Sequence, residues 1–141
     1  MRSYLLAITL ALRGAFAASM KPGTFCHFSE SCDNIKIVDN FFLSATCRDE
    51  TLSYKHANTL DLNLCIGINQ TTANLLWEPY GKIANYCTDC ALVEGSSIAC
   101  QCSPLVSAEN NAPTQSYLDL DTGIGNDNGT LTCSGGIGSF N

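Results

Sequence analysis

The chain has 141 residues, of which 45% are hydrophobic and 14% charged, and its formal net charge is −6. This length excludes a large multidomain enzyme, and the apolar content predicts a folded core instead of a disordered chain. Seven Lys and Arg residues against 13 Asp and Glu residues exclude the cationic surface that nucleic acid or anionic lipid would need, so uncharged partners are favoured.

The N-terminus has the pattern of a secretory signal peptide. Arg2 precedes an apolar stretch from Tyr4 to Leu12, and Ala15-Phe16-Ala17 is typical of a cleavage site with small residues. The apolar stretch is shorter than the roughly 20 residues that span a bilayer. We therefore expect a signal peptide over residues 1–17, a short leader over residues 18–24 and a secreted, extracellular protein without membrane insertion.

Nine cysteines are the strongest compositional signal. In an exported chain they predict disulfide bonds, because bridges persist in an oxidising environment. An odd number leaves one thiol free or paired between chains. The alternative is a zinc site at Cys87-x-x-Cys90 and Cys100-x-Cys102, but zinc thiolates are typical of reducing compartments, so disulfides are favoured. The cysteines are Cys26, Cys32, Cys47, Cys65, Cys87, Cys90, Cys100, Cys102 and Cys133.

The cysteine spacing also reveals an internal repeat. Cys32 and Cys47 recur 55 positions later as Cys87 and Cys102. Leu60-Asp61-Leu62 recurs as Leu118-Asp119-Leu120, so two related halves follow each other along the chain.

Each half begins with an alternating pattern that predicts a β-hairpin. In the first half, Ile35 and Ile37 alternate with polar residues, a turn follows at Asp39-Asn40, and Leu43 and Ala45 continue the pattern. This register pairs Ile35 with Ala45 and Ile37 with Leu43. In the second half it pairs Leu92 with Ile98 and Cys90 with Cys100 around the turn Glu94-Gly95-Ser96.

The hairpin registers yield a disulfide hypothesis. Cys32 and Cys47, like Cys87 and Cys102, miss the register by one residue, so each hairpin needs an irregularity near its open end. We predict both pairs as bridges, each worth roughly 3 kcal/mol in the chain-entropy model. Cys90 and Cys100 form a third bridge or a buried apolar pair, with Cys65 as a rival partner for either. Cys26 with Cys133 would tie the chain ends together.

The segments after the hairpins also read as β-structure. Leu60 to Trp77 and Leu118 to Cys133 each contain a turn-like run and a closing strand. Asn128-Gly129 predicts a type I′ turn, which Gly67 to Ala73 replaces by a longer loop in the first half. Asp61 and Asp119 are expected to cap the turns that follow them. The fold class is all-β with two pseudo-symmetric tandem repeats, short turn-like helical segments and a flexible tail at 134–141.

These motifs together resemble the cyanovirin-N homology family. The resemblance is carried by Phe28-Ser29-x-Ser31-Cys32, Leu43-x-Ala45-x-Cys47, Leu60-Asp61-Leu62-Asn63, Leu76-Trp77, the Cys87 to Cys102 hairpin, Leu118-Asp119-Leu120 and Ile124-x-Asn126-x-Asn128-Gly129-Thr130-Leu131. It implies one domain over residues 25–133, with repeats at about 25–80 and 81–133. It further implies an elongated, two-lobed β structure, with a sheet and a hairpin in each lobe, that binds mannose-rich glycans, especially terminal α1-2 linked mannose, without metal, cofactor or catalysis.

The resemblance also implies two sugar pockets, whose alternative interpretation is ordinary polar loops. The first pocket maps onto His27, Glu30, Ser31, Arg48, Asp49, Glu50, Thr51, Asn126, Asp127 and Asn128. The second maps onto Asn69, Thr71, Thr72, Lys82, Asn85, Tyr86 and Ser103. The second is the weaker prediction, because its loop is lengthened and Leu105 stands where the family would place a long basic side chain.

Several single residues need separate interpretation. Asn69-Gln70-Thr71 and Asn128-Gly129-Thr130 are glycosylation sequons, and a glycan on Asn128 would lie within the first pocket. Asn69 is the favoured acceptor because the tight turn at Asn128 disfavours modification. Trp77 is expected in a core or inter-lobe contact, in preference to stacking on sugar. Pro79 lies in the connector between repeats, where exchange of halves would give a swapped dimer in place of a monomer.

The sequence thus predicts a secreted lectin for mannose-rich oligosaccharides or glycoproteins, and not an enzyme. One alternative is a disulfide-stabilised, secreted protein-binding factor that has kept the fold and lost sugar binding. A more remote alternative is a redox or hydrolytic enzyme that uses Cys87-x-x-Cys90.

Overall fold

A computed structural model describes residues 27–51, 53–105 and 112–141 of the chain. The expected signal peptide, the expected leader and Cys26 lie outside the described residues. Within these ranges, no helix has both the length and the apolar character needed to cross a membrane.

The described residues form an all-β fold of twelve strands and four single-turn 3₁₀ helices. The strands are β1 (Cys32–Val38), β2 (Phe42–Arg48), β3 (Lys55–Asp61), β4 (Ile66–Ile68), β5 (Leu75–Trp77), β6 (Cys87–Val93), β7 (Ser97–Cys102), β8 (Thr114–Asp119), β9 (Gly125–Asp127), β10 (Thr130–Cys133), β11 (Gly136–Ile137) and β12 (Ser139–Phe140). The 3₁₀ helices are Phe28–Glu30, Leu62–Leu64, Ile83–Asn85 and Leu120–Thr122. The fold class is therefore the one that the sequence predicted.

The sheets group into two lobes that exchange parts between the repeats. The first lobe contains the sheet β1-β2-β3-β12 and the sheet β11-β10-β9, because β10 packs against β2, β3 and β12. The second lobe contains the sheet β6-β7-β8 and the hairpin β4-β5, because β5 packs against β8. Each repeat thus supplies the long hairpin of one lobe and the short hairpin of the other, which brings residues distant in sequence together at the lobe ends.

Both long hairpins have the predicted register next to their turns and the predicted irregularity near their open ends. Ile35 and Ala45, which were predicted to pair, fall within the irregularity of the first hairpin. Ile37 pairs with Leu43, and the register shifts by one between Asp33 and Lys36. The extra residue Asn34 has a φ of 53°, in the left-handed region that Asn tolerates better than most side chains.

The second hairpin repeats this arrangement. Leu92 pairs with Ile98, the register shifts between Thr88 and Ala91, and Asp89 has a φ of 52°. The same bulge therefore lies at corresponding positions of the two repeats, which is direct structural evidence for the duplication.

The described residues form four disulfide bonds, of which two were predicted outright and a third, Cys90–Cys100, was one of two alternatives. They are Cys32–Cys47, Cys87–Cys102, Cys90–Cys100 and Cys65–Cys133. Because Cys87 and Cys90 bond to different partners, the zinc site and the Cys-x-x-Cys redox site are wrong.

The suggested bridge from Cys26 to Cys133 is also wrong, since Cys133 bonds to Cys65. Cys65 follows the 3₁₀ helix Leu62–Leu64 and is fully buried, and β10 brings Cys133 against it with a Cα–Cα distance of 5.9 Å. The long-range packing of β10 decides this pairing.

The core is built from corresponding apolar positions of the two repeats. Phe28 corresponds to Ile83, Leu43 to Ile98, and Leu62 to Leu120; all six side chains are fully buried. The largest of the other fully buried side chains are Leu60, Ile66, Ile124, Leu131 and Asn58. The duplication therefore extends from the sequence to the packing of both lobes.

The expected flexible tail instead forms two strands. β11 pairs with β10 and β12 pairs with β3, so residues 136–140 belong to the first lobe. Gly135 permits this path, because a Cβ there would lie 2.0 Å from the backbone oxygen of Leu64. Small residues that suggested flexibility in the sequence serve here to allow close approach of the backbone.

Trp77 is half-buried and packs against the core, as one of the two expectations for it had it, and it contacts the second repeat. Its indole Nε1 donates to the hydroxyl of Thr122 at 2.9 Å. Its ring covers Gly123, where a Cβ would lie only 2.2 Å from the ring. The indole of Trp77 therefore packs between the two repeats, in preference to stacking on a sugar.

Asp61 and Asp119 cap 3₁₀ helices, as predicted. The carboxylate of Asp61 accepts from the backbone N–H of Asn63 at 2.9 Å, and that of Asp119 from Asp121 at 3.0 Å. These equivalent roles in the two repeats are structural.

Candidate functional site

Three segments that are far apart in sequence meet at one end of the first lobe. They are the 3₁₀ helix before β1, the turn after β2 and the turn between β9 and β10. The backbone N–H of Arg48 donates to the carbonyl of Ser31 at 3.0 Å, which joins the first two segments. The predicted residues of the first pocket are therefore brought together, although 78 positions separate Asn128 from Glu50.

Asn126 joins all three segments through its carboxamide. Its Nδ2 donates to the hydroxyl of Ser31 at 2.9 Å and to the carbonyl of Arg48 at 2.8 Å, and its Oδ1 accepts from the N–H of Gly129 at 2.8 Å. Both donors of the amide are occupied and the side chain is half-buried. Asn126 consequently positions the pocket instead of offering free groups at its surface.

The β9–β10 turn has the predicted type I′ geometry. Asn128 and Gly129 have φ values of 50° and 93°, which suit the right-handed twist of a two-residue hairpin. The Oδ1 of Asn128 accepts from the N–H of Glu50 at 2.9 Å, so the turn is held against the segment after β2.

Two residues that sequence reasoning missed support this turn. Asn58 is fully buried; its Nδ2 donates to the carbonyl of Gly129 at 3.0 Å and its Oδ1 accepts from Leu131 at 2.8 Å. The ring of His56 lies against Gly129, where a Cβ would be 2.5 Å from Cδ2. His56 lies on the same side of β3 as the buried Asn58 and is half-buried, with 39% of its side chain exposed.

A carboxylate orders the segment after β2. The Oδ1 of Asp49 accepts from the backbone N–H of Thr51 at 3.1 Å and from its hydroxyl at 2.7 Å. The hydrogen bond from the Thr51 hydroxyl is the main cause that holds the pKa of Asp49 below its ordinary value. The His56 Nε2 lies 3.7 Å from the other carboxylate oxygen. Asp49 is therefore ionised at neutral pH and fixes the turn.

Arg48, the last residue of β2, is half-buried beside the pocket. Its Nη2 donates to the carbonyl of Glu30 at 2.9 Å. Its buried Nε has no hydrogen-bond partner in the part of the chain that the structure describes. Arg48 thus ties the first segment to β2, and its buried Nε–H is an unused donor.

A carboxylate of the second repeat anchors the first segment. The Oδ1 of Asp121 accepts from the backbone N–H of Ser29 at 3.0 Å, and its Oδ2 accepts from the Ser29 hydroxyl. Asn63 makes the equivalent contact with the N–H of Ala84 at 2.9 Å. The repeat offset that relates Asn63 to Asp121 was the only sequence signal for this pair.

These contacts leave a rim of exposed polar side chains around the first pocket. The rim contains His27, Glu30, Glu50, Thr51, Asp127 and Asn128. His27 has a left-handed φ of 57° at the start of its segment, and its Nδ1 lies 4.0 Å from the Glu30 carboxylate. Carboxylate, amide and hydroxyl groups on a fixed backbone can accept from and donate to the hydroxyls of an uncharged ligand.

The second pocket is assembled by corresponding but fewer contacts. The N–H of Ser103 donates to the carbonyl of Tyr86 at 2.8 Å, as Arg48 does to Ser31. The N–H of Leu105 lies 3.4 Å from the Oε1 of Gln70, where the first lobe joins Glu50 to Asn128. Residues 106–111, which continue this segment, lie outside the described residues.

The polar side chains of the second pocket are partly used within their own loop. The Oδ1 of Asn69 accepts from the N–H groups of Thr71 and Thr72 at 2.8 and 3.1 Å. Lys82 begins its 3₁₀ helix with a left-handed φ of 53°, and both Lys82 and Asn85 are exposed. Leu105, at the position of Glu50, is 69% exposed and offers no side-chain hydrogen bond. The two sequon asparagines, Asn69 and Asn128, are both exposed, and their glycosylation stays a prediction.

Comparison with known proteins adds the family. A family model described as a CVNH domain matches residues 28–132. The NMR structure of GzCVNH from Gibberella zeae is 26% identical, with a TM-score of 0.61 over 75% of this chain and 95% of that one. The crystal structure of a MoCVNH3 variant in complex with (N-GlcNAc)4 is 18% identical, with a TM-score of 0.64 over 79% of this chain and 99% of that one. No curated protein sequence matches the chain significantly.

Proposed function

Because the chain belongs to the CVNH domain family, whose members are generally carbohydrate-binding lectins and not enzymes, we propose that it is a secreted lectin. Its first pocket binds mannose-rich glycans, with terminal α1-2 linked mannose as the preferred end group. The second pocket is weaker, so one chain engages one glycan terminus.

The observation that carries this proposal is that one set of side chains holds the first pocket together while another set stays exposed. Ser31, Asp49 and Asn126 use their hydrogen-bonding groups within the three segments, on one another, on Thr51 and on the backbone. Glu50 and Asp127 keep exposed carboxylates on the resulting frame. A frame that is already ordered lowers the entropic cost of binding, and the exposed acceptors suit adjacent sugar hydroxyls.

The charge of the chain supports an uncharged ligand. Acidic residues outnumber basic ones by 13 to 7, so a phosphate or sulfate group would be repelled by most of the surface. A neutral hexose avoids this cost, and its hydroxyls can donate hydrogen bonds to carboxylates. Hydrogen bonds to an ionised acceptor are stronger than those between neutral groups.

Secretion is supported by the cysteine chemistry and by the N-terminal pattern. Four disulfide bonds favour an oxidising compartment. We expect the exported protein to begin after Ala17, and N-terminal sequencing of protein from culture medium tests this. An exported chain that retains Arg2 would contradict the assignment of the signal peptide.

A glycan array of the wild-type protein and two variants tests the sugar assignment. We expect mannose-rich structures to be the main hits of the wild-type protein. Glu50→Gln should lose this signal. The control Glu78→Gln, which changes an exposed carboxylate in the connector between repeats, should keep it. GlcNAc oligomers belong on the same array because the MoCVNH3 variant was solved with (N-GlcNAc)4. A blank array with a folded protein would overturn the lectin proposal and favour a protein-binding factor.

A further inference from the structure

The outer face of the first lobe carries an open groove of about 520 Å³, away from both predicted pockets. Its floor is formed by Ser44 and Thr46 of β2 and Ala57 of β3. These β2 residues alternate with the buried Leu43, Ala45 and Cys47, so they lie on the opposite face of the sheet from the core.

Two features border this face and make it concave. The β-bulge at Asn34 displaces β1 on one side, and Asn34 and Lys36 form that wall. On the other side the chain beyond β12 continues along β3, and Asn141 forms the wall. The N–H of Asn141 donates to the carbonyl of Ala57 at 3.1 Å, and its Oδ1 accepts from the hydroxyl of Thr59 at 3.1 Å, which fixes it in place.

The groove offers polar groups that the protein itself does not use. Among the described residues, the hydroxyls of Ser44 and Thr46 and the side-chain amide of Asn34 make no hydrogen bonds, while neighbouring polar groups do. Lys55 and Asp33 pair at 2.6 Å near this face, so Lys36 is the cation available to a ligand. These hydroxyl, amide and ammonium groups alternate with the apolar side chains of Ile35 and Ala57. A lining of both kinds suits a sugar ring, which has hydroxyl groups at its edge and C–H groups on its faces.

The duplicated structure supplies an internal comparison. On the corresponding face of the second lobe, Ala91 and Ala99 replace Lys36 and Ser44, and Tyr117 pairs with Ala99. In the described residues the sheet there ends at β8, without a counterpart of β12. The groove is thus specific to the first lobe, and its Asn141 wall lies beyond the residues 28–132 that match the family model.

We propose that this groove is a second carbohydrate site, independent of the first pocket, which takes an internal stretch of roughly two or three sugar rings of an uncharged oligosaccharide. Its volume lies within the range of roughly 300 to 1,000 Å³ that is usual for small-ligand sites. The proposal shares its ligand class with the proposed function but none of its residues. A branched glycan that reached both sites would gain affinity through effective concentration.

Titration of backbone amide signals tests the groove and the first pocket in the same sample. The probes are a linear mannose oligosaccharide and (N-GlcNAc)4, each added to the uniformly ¹⁵N-labelled protein. We expect saturable shifts at Lys36, Ser44 and Thr46 with at least one probe. The double variant Ser44→Ala with Thr46→Val should weaken these shifts about tenfold, because two hydrogen-bonding hydroxyls are lost. The control variant Gln101→Leu, at the position of Thr46 in the second lobe, should leave them unchanged.

The outcomes separate the two proposals. Shifts at Glu50 and Asn128 without shifts in the groove would overturn the groove site and leave the lectin proposal intact. Shifts in the groove without shifts at Glu50 and Asn128 would overturn the first pocket as the sugar site and leave the groove site intact. A folded double variant whose groove residues still shift with the wild-type affinity for the probe would also overturn the groove site. Saturable binding in the groove that the double variant weakens, with Gln101→Leu unaffected, would establish it.

Discussion

At the scale of single residues, Asn126 is the centre of the first pocket without being one of its exposed groups. Its carboxamide makes three hydrogen bonds to three different segments. Loss of the side chain would leave a carbonyl, a hydroxyl and an N–H without their partner in a half-buried site, and such losses cost about 1–3 kcal/mol.

We therefore predict that Asn126→Ala lowers both stability and glycan affinity. Urea unfolding should show a loss of about 1–3 kcal/mol, and calorimetric titration a loss of binding at the first pocket. Asn74→Ala, which changes an exposed loop amide of the second lobe, should alter neither quantity. An Asn126→Ala variant that kept its stability while losing affinity would show that the side chain touches the sugar directly.

Asp49 makes the stability of the turn after β2 depend on pH. Its folded-state pKa is lowered, mainly by the Thr51 hydroxyl, so the ionised form is the one that holds the turn. The resulting stabilisation is present above the unfolded value of about 4 and is lost as the pH falls through the lower, folded value.

We predict that glycan affinity of the first pocket is constant at neutral pH and falls steeply below about pH 4. Asp33 is the control, because its pKa is also lowered but by Lys55, at the groove. Asp33→Asn should leave the pH profile of binding unchanged, whereas Asp49→Asn should already bind weakly at neutral pH. An Asp49→Asn variant that binds as tightly as the wild type at neutral pH would contradict the role of Asp49.

At the scale of elements, the disulfides differ in what they constrain. Cys90–Cys100 closes a loop with a sequence separation of 10 within one hairpin, where Cys87–Cys102 already joins the same strands. Cys65–Cys133 closes a separation of 68 and connects the segment after one repeat's main sheet to β10 of the other. In the chain-entropy model the longer loop is worth about 4 kcal/mol and the shorter about 3 kcal/mol.

We predict that the double variant Cys65→Ala with Cys133→Ala is the more destabilised of the two. In the chain-entropy model the two loops differ by about 1 to 2 kcal/mol. Because Cys87–Cys102 already joins the strands of the shorter bridge, the free energies of unfolding of the two variants, measured in urea, should differ by more than this. Cys90→Ala with Cys100→Ala is the matched control, because it also removes one buried pair. An equal or larger loss in that control would contradict the assignment of Cys65–Cys133 as the main covalent link between repeats.

At the scale of the whole molecule, the sequence predicts what is local or repeated. The pairing of Ile37 with Leu43 and the bulge near Cys32 follow from alternation over a few residues and from the repeat offset. The residues of the first pocket follow from the family resemblance, and the structure brings them together. Local patterns therefore determine most of the strands, whereas the residues of this pocket could be named only through the family resemblance.

The contacts that sequence reasoning missed depend on distant segments. The pairing of Cys65 with Cys133, the strands β11 and β12, and the link from Asp121 to Ser29 form only when β10 and its neighbours pack on the first lobe. Gly135 and Gly136 suggest flexibility in the sequence and allow close packing in the structure. No local period carries such information, because each of these contacts is selected by tertiary packing.

The central claim is that the end of the first lobe is the sugar site of this chain. A crystal structure of the protein with α1-2 linked mannobiose tests it most directly. We predict a sugar ring lying across the turn at Asn128 and the segment from Glu50 to Thr51, hydrogen-bonded to at least one exposed carboxylate of the rim, with Asn126 keeping its three protein contacts. A disaccharide bound elsewhere, with this pocket left open in the same crystal, would contradict the claim.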